Sequence, residues 1–361
     1  MKPIAVIGAG GYVGARLIER SELLGRPQLV SIVRTWLSQG RLARYGVRTV
    51  RGDAGDRASL VPLLEGCGMV VNLTLGDDKR IVGDVQAMYT ACRDAGVPLF
   101  VHMSSAEVFG RAEDPALREE SAPDGQHWME YGREKAAAEA WLRSQWDGSV
   151  KVVILRPGLI WGPGSGWLVE PAKALVDGTA LLYSEGRGVC NLIHVDNVIE
   201  HLMVLAQSEP QSGVFNIADP ETLSWAEYYH AIAREVGADE SAIRLAPDSD
   251  FRESPWKRLM QLPPAMAVKS RMSGQAKVRV KQRLKDLVAS RHPESRPFVP
   301  QPSVSKQFWW VQGTARKLPS SAFAERYPTV RLQSFPDLMA AAGRWLRWAG
   351  FECVNGYSPG E

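Results

Sequence analysis

The apolar positions of this 361-residue chain fall into short continuous runs separated by helical patterns, and the alternation recurs through its first half. Residues 3–7 form an apolar run that stops at Gly8. A run of that length bounded by turn residues reads as a buried strand. Gly8, Gly11 and Gly14 follow at three-residue spacing, and from Ala15 a helical pattern runs through Leu17, Ile18 and Leu24. The strand signature returns at 28–33, 47–51, 69–73 and 98–103, with helices expected over 56–64 and 77–96. Beyond these, a helix opens at Tyr131, strands are expected at 152–155, 189–193 and 213–217, and helices at 197–206, 225–236 and 334–350. Strands that alternate with helices in this way predict a parallel sheet covered on both faces, the doubly wound α/β plan.

Strand, glycine turn and helix at the start of the chain have a chemical use. Glycine allows tight backbone geometry, and a diphosphate approaches closely only where no Cβ intrudes. The helix N-terminus then offers free N–H groups and the positive end of its dipole. A dinucleotide site is the reading this order supports. At the end of the second strand an acid would bond the adenosine ribose hydroxyls, whereas an arginine accommodates a 2′-phosphate. The chain has Arg34 there, which favours NADP(H) over NAD(H). Asp53, after the third strand, either accepts a bond from the adenine amino group or caps the helix that follows.

Ligands in such sheets bind beyond the carboxyl ends of the strands, and the fifth strand ends in Ser104 and Ser105. Tyr131 and Lys135 are four residues apart on the next helix, so they share one face. A free tyrosine has a pKa of about 10, and a neighbouring ammonium is expected to lower it. Tyr131 can then exchange a proton with a substrate oxygen while a hydride moves at the carbon. Ser105 bonds the same oxygen, and Lys135 also reaches the nicotinamide ribose.

In this order the pieces resemble the extended short-chain dehydrogenase/reductases, the NAD-dependent epimerase/dehydratase family. The matching motifs are GAGGYVG at 8–14, GD at 52–53, VVNLT at 70–74, SSAEVFG at 104–110 and YGREK at 131–135. LRPGLIWGPG at 155–164 and IHVDNV at 193–198 complete the set. The resemblance covers roughly residues 1–235 and, weakly, the last thirty. It implies a Rossmann-type nucleotide domain over 1–165, with interleaved segments at about 189–218. A smaller C-terminal substrate-binding part is implied over 166–361. The implied cofactor contacts are Gly8, Gly11, Tyr12, Val13, Gly14, Arg34, Asp53, Leu73, Thr74, Lys135 and Pro157. Ser105 rather than Ser104, with Tyr131 and Lys135, is implied as catalytic, and Ser105 and Glu107 as substrate contacts. His194 reads as structural within its motif, and Asp196 as the cap of the helix that follows.

Two departures narrow the function. Family dehydratases carry an acidic pair after the catalytic hydroxyl residue, and here those positions are Ala106 and Glu107. Many nucleotide-sugar members have an arginine where this chain has Cys190, with Arg187 nearby as the substitute. The expected activity is NAD(P)-dependent hydride transfer at a hydroxyl or keto carbon of a sugar-like or cyclic polyol substrate, reduction favoured. The alternatives are a nucleotide-sugar epimerase using NAD, a dehydrogenase of a hydrophobic, steroid-like alcohol, and a non-catalytic dinucleotide sensor. Relatives of the last kind typically lose the tyrosine or lysine kept here.

Charge adds one feature. The net charge is +3, yet residues 257–306 hold twelve Lys/Arg against two acids, which leaves about −7 on the rest. Within this insertion, residues 276–290 pattern as a basic amphipathic helix. It would rest on a membrane surface, close over a phosphorylated substrate, bind a partner, or pack as a solvated insertion. Nucleic acid is not expected, because Trp309 and Trp310 lie outside the run. The four cysteines are dispersed with no CxxC, so reduced thiols in a cytoplasmic protein without a metal site are expected. The first strand begins almost at Met1, so no signal peptide is expected, and no apolar run reaches membrane-spanning length. Family precedent adds a homodimer, which no local feature specifies.

Overall fold

The computed structural model describes residues 2–25, 27–110, 117–125, 127–146, 148–246 and 305–353. The N-terminal half runs β1 (Ile4–Ile7), α1 (Tyr12–Leu24), β2 (Leu29–Val33), α2 (Trp36–Ala43), β3 (Thr49–Arg51), α3 (Arg57–Leu64), β4 (Met69–Asn72) and α4 (Ile81–Asp94). It continues with β5 (Leu99–Met103), α5 (Glu130–Arg143), β6 (Lys151–Pro157), β7 (Leu159–Trp161) and α6 (Gly166–Val176). Next come β8 (Leu181–Leu182), β9 (Val189–Cys190), β10 (Leu192–His194), α7 (Val195–Gln207), β11 (Gly213–Ile217), β12 (Leu223–Ser224), α8 (Trp225–Val236) and β13 (Arg244–Leu245). The described C-terminal residues add α9 (Lys306–Gln312), α10 (Ala322–Arg326) and α11 (Phe335–Trp348).

Seven parallel strands form the central sheet in the order β11-β6-β5-β4-β1-β2-β3. The chain winds outward from β1 through β2 to β3, then returns to lay β4 on the other side of β1. This reversal opens a crevice above the carboxyl ends of β1 and β4, where ligands of such sheets bind. Both sheet faces are covered. Ile4 and Val6 of β1 enter one core with Leu17 and Ile18 of α1, while Ala5 and Ile7 enter the other with Leu60 and Met88. Burial on both sides explains why these strands read as continuous apolar runs. A further core joins Trp161, Leu168 of α6, Trp225 and Tyr228 of α8, and Leu338 and Leu346 of α11.

The expected strand over 189–193 is two strands. They are broken at Asn191, whose side chain donates to the Arg316 carbonyl (3.0 Å) and accepts from the Leu318 N–H (2.7 Å). Asp196 is not the cap of α7. His194 holds that place and accepts the Asp196 N–H at Nδ1, while Asp196 forms a two-pronged ion pair with Arg16 of α1 at 2.7 and 2.9 Å. Asp56, not Asp53, caps α3 through the N–H groups of Ala58 and Ser59. All four cysteines are free thiols. The expected basic helix over 276–290, and most of the insertion 257–306, lie outside the described residues. Among the described residues no helix is long and apolar enough to cross a membrane.

Candidate active site

A cleft of about 1130 Å3 opens along the carboxyl ends of the strands. Its first wall is the turn after β1. Gly8 has a positive φ of 88°, and a Cβ there would meet the Leu73 carbonyl at 2.8 Å. Only glycine lets the turn lie against the end of β4. Gly11 caps α1 with no side-chain hydrogen bond over the helix end, and Tyr12 and Val13 of its first turn line the cleft. Gly14 does not line the cleft. A Cβ on it would stand 2.6 Å from the Gly8 carbonyl oxygen and 2.7 Å from the Ala9 Cα, so its function is to let α1 pack onto the turn.

Arg34, Thr35 and Ser38, which follow β2, line the cleft, as does Asp53 after β3. Thr35 caps α2 by accepting the Ser38 N–H. Asp53 accepts from the Gly55 N–H at 2.9 Å and from Arg80 at 3.0 Å, which holds its carboxyl below the ordinary range. Leu73 and Thr74 floor the middle of the cleft. Asn72 fixes this floor, accepting the Thr74 N–H and hydroxyl at 3.0 and 2.7 Å while its amide meets buried His102 at 3.0 Å.

Ser105, Tyr131 and Lys135 come together on the opposite wall. Lys135 is buried and donates to the Met103 carbonyl at 2.8 Å. Burial pulls its ammonium down to about 8, against the favourable fields of Glu139 and Asp78. The ammonium lies 5.8 Å from the centroid of the Tyr131 ring. Tyr131 keeps part of its surface toward the cleft, yet protein surrounds its phenol, and burial pushes it up to about 12 despite a hydrogen bond with Ser105. The shift is opposite to the lowering expected from the sequence, because desolvation, helped by the charges of Glu107 and Asp78, outweighs the Ser105 hydrogen bond.

Glu107 also lines the cleft, with Oε1 3.0 Å from His127 Nε2 but outside hydrogen-bonding geometry. Pro157, Leu159 and Ile160 from the β6–β7 segment, Ser165 and Trp167 at the start of α6, Trp128, and Val311 from α9 complete the lining of the cleft. The tryptophans and α9 were not foreseen as site residues. Arg187 does not line the cleft. Its side chain is 62% exposed and paired with Glu185, so the expected substitute for the missing arginine is placed elsewhere. His194 is a buried helix cap, and burial pulls its imidazole down to about 4.

The chain is similar to known proteins in sequence and in fold. The chain is 26% identical over 254 residues to a 2-alkyl-3-oxoalkanoate reductase of Stenotrophomonas maltophilia, covering 65% of this chain and 76% of that one. It is 24% identical over 274 residues to a 4-hydroxy-2-methyl-3-oxo-4-farnesyl-3,4-dihydroquinoline-1-oxide ketoreductase of Stigmatella aurantiaca, covering 71% and 81%. Its fold superposes with a TM-score of 0.68 on a dTDP-glucose 4,6-dehydratase of Streptomyces venezuelae solved with NAD bound, at 19% identity and covering 97% and 98%. Residues 4–218 match the family model of the NAD dependent epimerase/dehydratase family, and the chain belongs to that family.

Proposed function

We propose that the protein is an NAD(P)-dependent oxidoreductase that transfers a hydride at a hydroxyl- or keto-bearing carbon, with NADP(H) and reduction preferred. The observation that carries this reading is the meeting of Ser105, Tyr131 and Lys135 on one wall of a cleft that starts at the Gly8 turn. The cradle fits a dinucleotide: Gly8, Gly10 and Gly11 line it without side chains, and the N-terminus of α1, which has no side-chain cap, follows them. Gly8, Gly11, Tyr12 and Val13 would hold the diphosphate, Arg34 and Asp53 the adenosine end, and Leu73, Thr74, Lys135 and Pro157 the nicotinamide end. The bound nicotinamide would supply or take the hydride.

The chain's own groups do the rest. Ser105 orients the substrate oxygen. Tyr131, a neutral phenol at physiological pH, donates a proton to that oxygen as it gains negative charge, which suits reduction. Lys135, fixed on the Met103 carbonyl, holds the ribose and places positive charge beside the phenol. Trp128, Trp167, Leu159, Ile160 and Val311 give the substrate end an apolar wall, which favours a ketone with an apolar portion over a polyol. The reductase names of two relatives support the same direction.

The test offers NADPH or NADH with a 2-alkyl-3-oxoalkanoate ester and, separately, NADP+ or NAD+ with dTDP-glucose, and follows nicotinamide absorbance. The ester should consume NADPH, and Tyr131→Phe should lower kcat by about 10²–10⁴-fold. Full turnover by Tyr131→Phe, or cofactor binding with no oxidation by any carbonyl probe, would overturn the reading.

A further inference from the structure

Glu139 stands four residues after Lys135 and eight after Tyr131, so the three lie along one face of α5. Its side chain is fully buried. One oxygen accepts the Ser104 hydroxyl at 2.5 Å, and both accept from Arg156 Nε at 3.0 Å, with Arg156 Nη2 adding a contact at 2.5 Å. Arg156 is fully buried too, and its remaining reach goes to the Glu119 carbonyl at 2.9 Å. Ser104 precedes Ser105 at the end of β5, and Arg156 precedes Pro157 on β6. One carboxylate thus ties the helix that carries Tyr131 and Lys135 to both strand ends that border the cleft.

The charge arrangement is equally specific. Arg156 and Lys135 are buried cations, and Glu139 is the buried carboxylate that pairs with Arg156 and stands one helical turn from Lys135 on the same face of α5. A buried charge left without its counter-charge is strongly disfavoured. The other groups around Lys135 are Asp78, on the turn before α4, His102 on β5, and Tyr131 on its own helix. His102 is held neutral by burial, and the field of Asp78 is weaker than that of Glu139. Arg143, 3.9 Å from Glu139, completes the surroundings of the carboxylate.

We propose that Glu139 is a positioning residue for the reaction: bound between Arg156 and Ser104, it sets the Tyr131–Lys135 face against the strand ends and balances the charge of Lys135. This rests on the functional reading above, because it assigns Glu139 to the support of those two side chains. No contact of Glu139 with a substrate is involved.

The test titrates Lys135 by NMR of ε-13C-lysine in the full-length protein, with Lys135→Arg to assign its signal. Glu139→Gln keeps the shape and the bond from Ser104 but removes the charge. The Lys135 midpoint should fall by about one pH unit, a tenfold loss of the charged form near its upper limb. The NADPH dissociation constant should rise in the same pH interval. Should Glu139→Gln not fold, Glu139→Gln/Arg156→Met removes both charges together, and the Lys135 midpoint should still fall. An unchanged midpoint in the folded variant overturns the proposal. The functional reading is judged separately by Tyr131→Phe turnover, so either can fail while the other stands.

Discussion

Replacing Gly14 by alanine sets two effects of known sign against each other. Gly14 lies inside α1, where alanine is favoured over glycine by roughly 0.8–1 kcal/mol. Its added methyl, however, would stand 2.6 Å from the Gly8 carbonyl oxygen, 2.7 Å from the Ala9 Cα and 2.8 Å from the Ala9 carbonyl oxygen. All three are backbone atoms, so no side chain can swing aside. The helix must withdraw until 2.6 Å opens toward the 3.4 Å of ordinary contact. Overpacking of this kind costs about 1–3 kcal/mol. The net change in stability is a loss of about 0–2 kcal/mol once the helix gain is subtracted. The larger effect falls on binding, because the N-terminus of α1 moves away from the turn it completes. NADPH affinity should fall by at least about tenfold, equivalent to about 1.4 kcal/mol. Gly83 in α4 is the control, since an added Cβ there meets nothing within 4 Å. Gly83→Ala should gain stability and bind NADPH unchanged. Urea denaturation and quenching of tryptophan fluorescence by NADPH measure both quantities. A Gly14→Ala protein that gains stability as Gly83→Ala does and binds NADPH normally would refute the packing role.

Two further outcomes follow from single side chains. Arg34→Asp should weaken NADPH binding by about 10–100-fold while NADH binding is kept or improved, because an acid at the end of β2 bonds ribose hydroxyls and repels a 2′-phosphate; equal losses for both cofactors would contradict the role of Arg34. Burial raises the Glu119 carboxyl from its ordinary 4.5 to about 7, so the folded protein binds a proton there that the unfolded chain does not. This group therefore favours folding at low pH and opposes it above about 7, and Glu119→Gln should gain roughly 1 kcal/mol at pH about 8, a gain that vanishes as pH falls through 4.5; urea midpoints of both proteins at the two pH values decide it.

Much of the fold is legible in the sequence because parallel strands buried on both faces leave continuous apolar runs, as in Ile4–Ile7 and Met69–Asn72. Elements without that signature were hidden. Helix α2 buries only Leu42 and so has almost no apolar stripe, and α6 contains Pro171, which reads as a break. That Tyr131 and Lys135 share one face was legible because they are local neighbours on one helix. The Glu139 network was not, because its partners Ser104 and Arg156 are distant in sequence and meet only after the sheet forms. The cap of α7 was misread for a related reason. Asp196 is a good capping residue by type, but His194 occupies the geometric position, which frees Asp196 to bind Arg16; of the two readings left open for Asp53, the cap falls away because Asp56 holds that place. Arg187 was assigned by closeness in sequence to Cys190, yet the turn carries it outward. The phenol of Tyr131 shows the limit of reasoning from one neighbour, since the direction of its shift is set by everything packed around it.

A crystal structure of the full chain with NADP+ bound measures the central spatial claim directly. The account predicts the diphosphate on the Gly8–Gly11 turn, the 2′-phosphate beside Arg34, and the nicotinamide ring between Pro157 and the phenol oxygen of Tyr131. A ring bound away from Tyr131, or a dinucleotide held elsewhere on the protein, would contradict it.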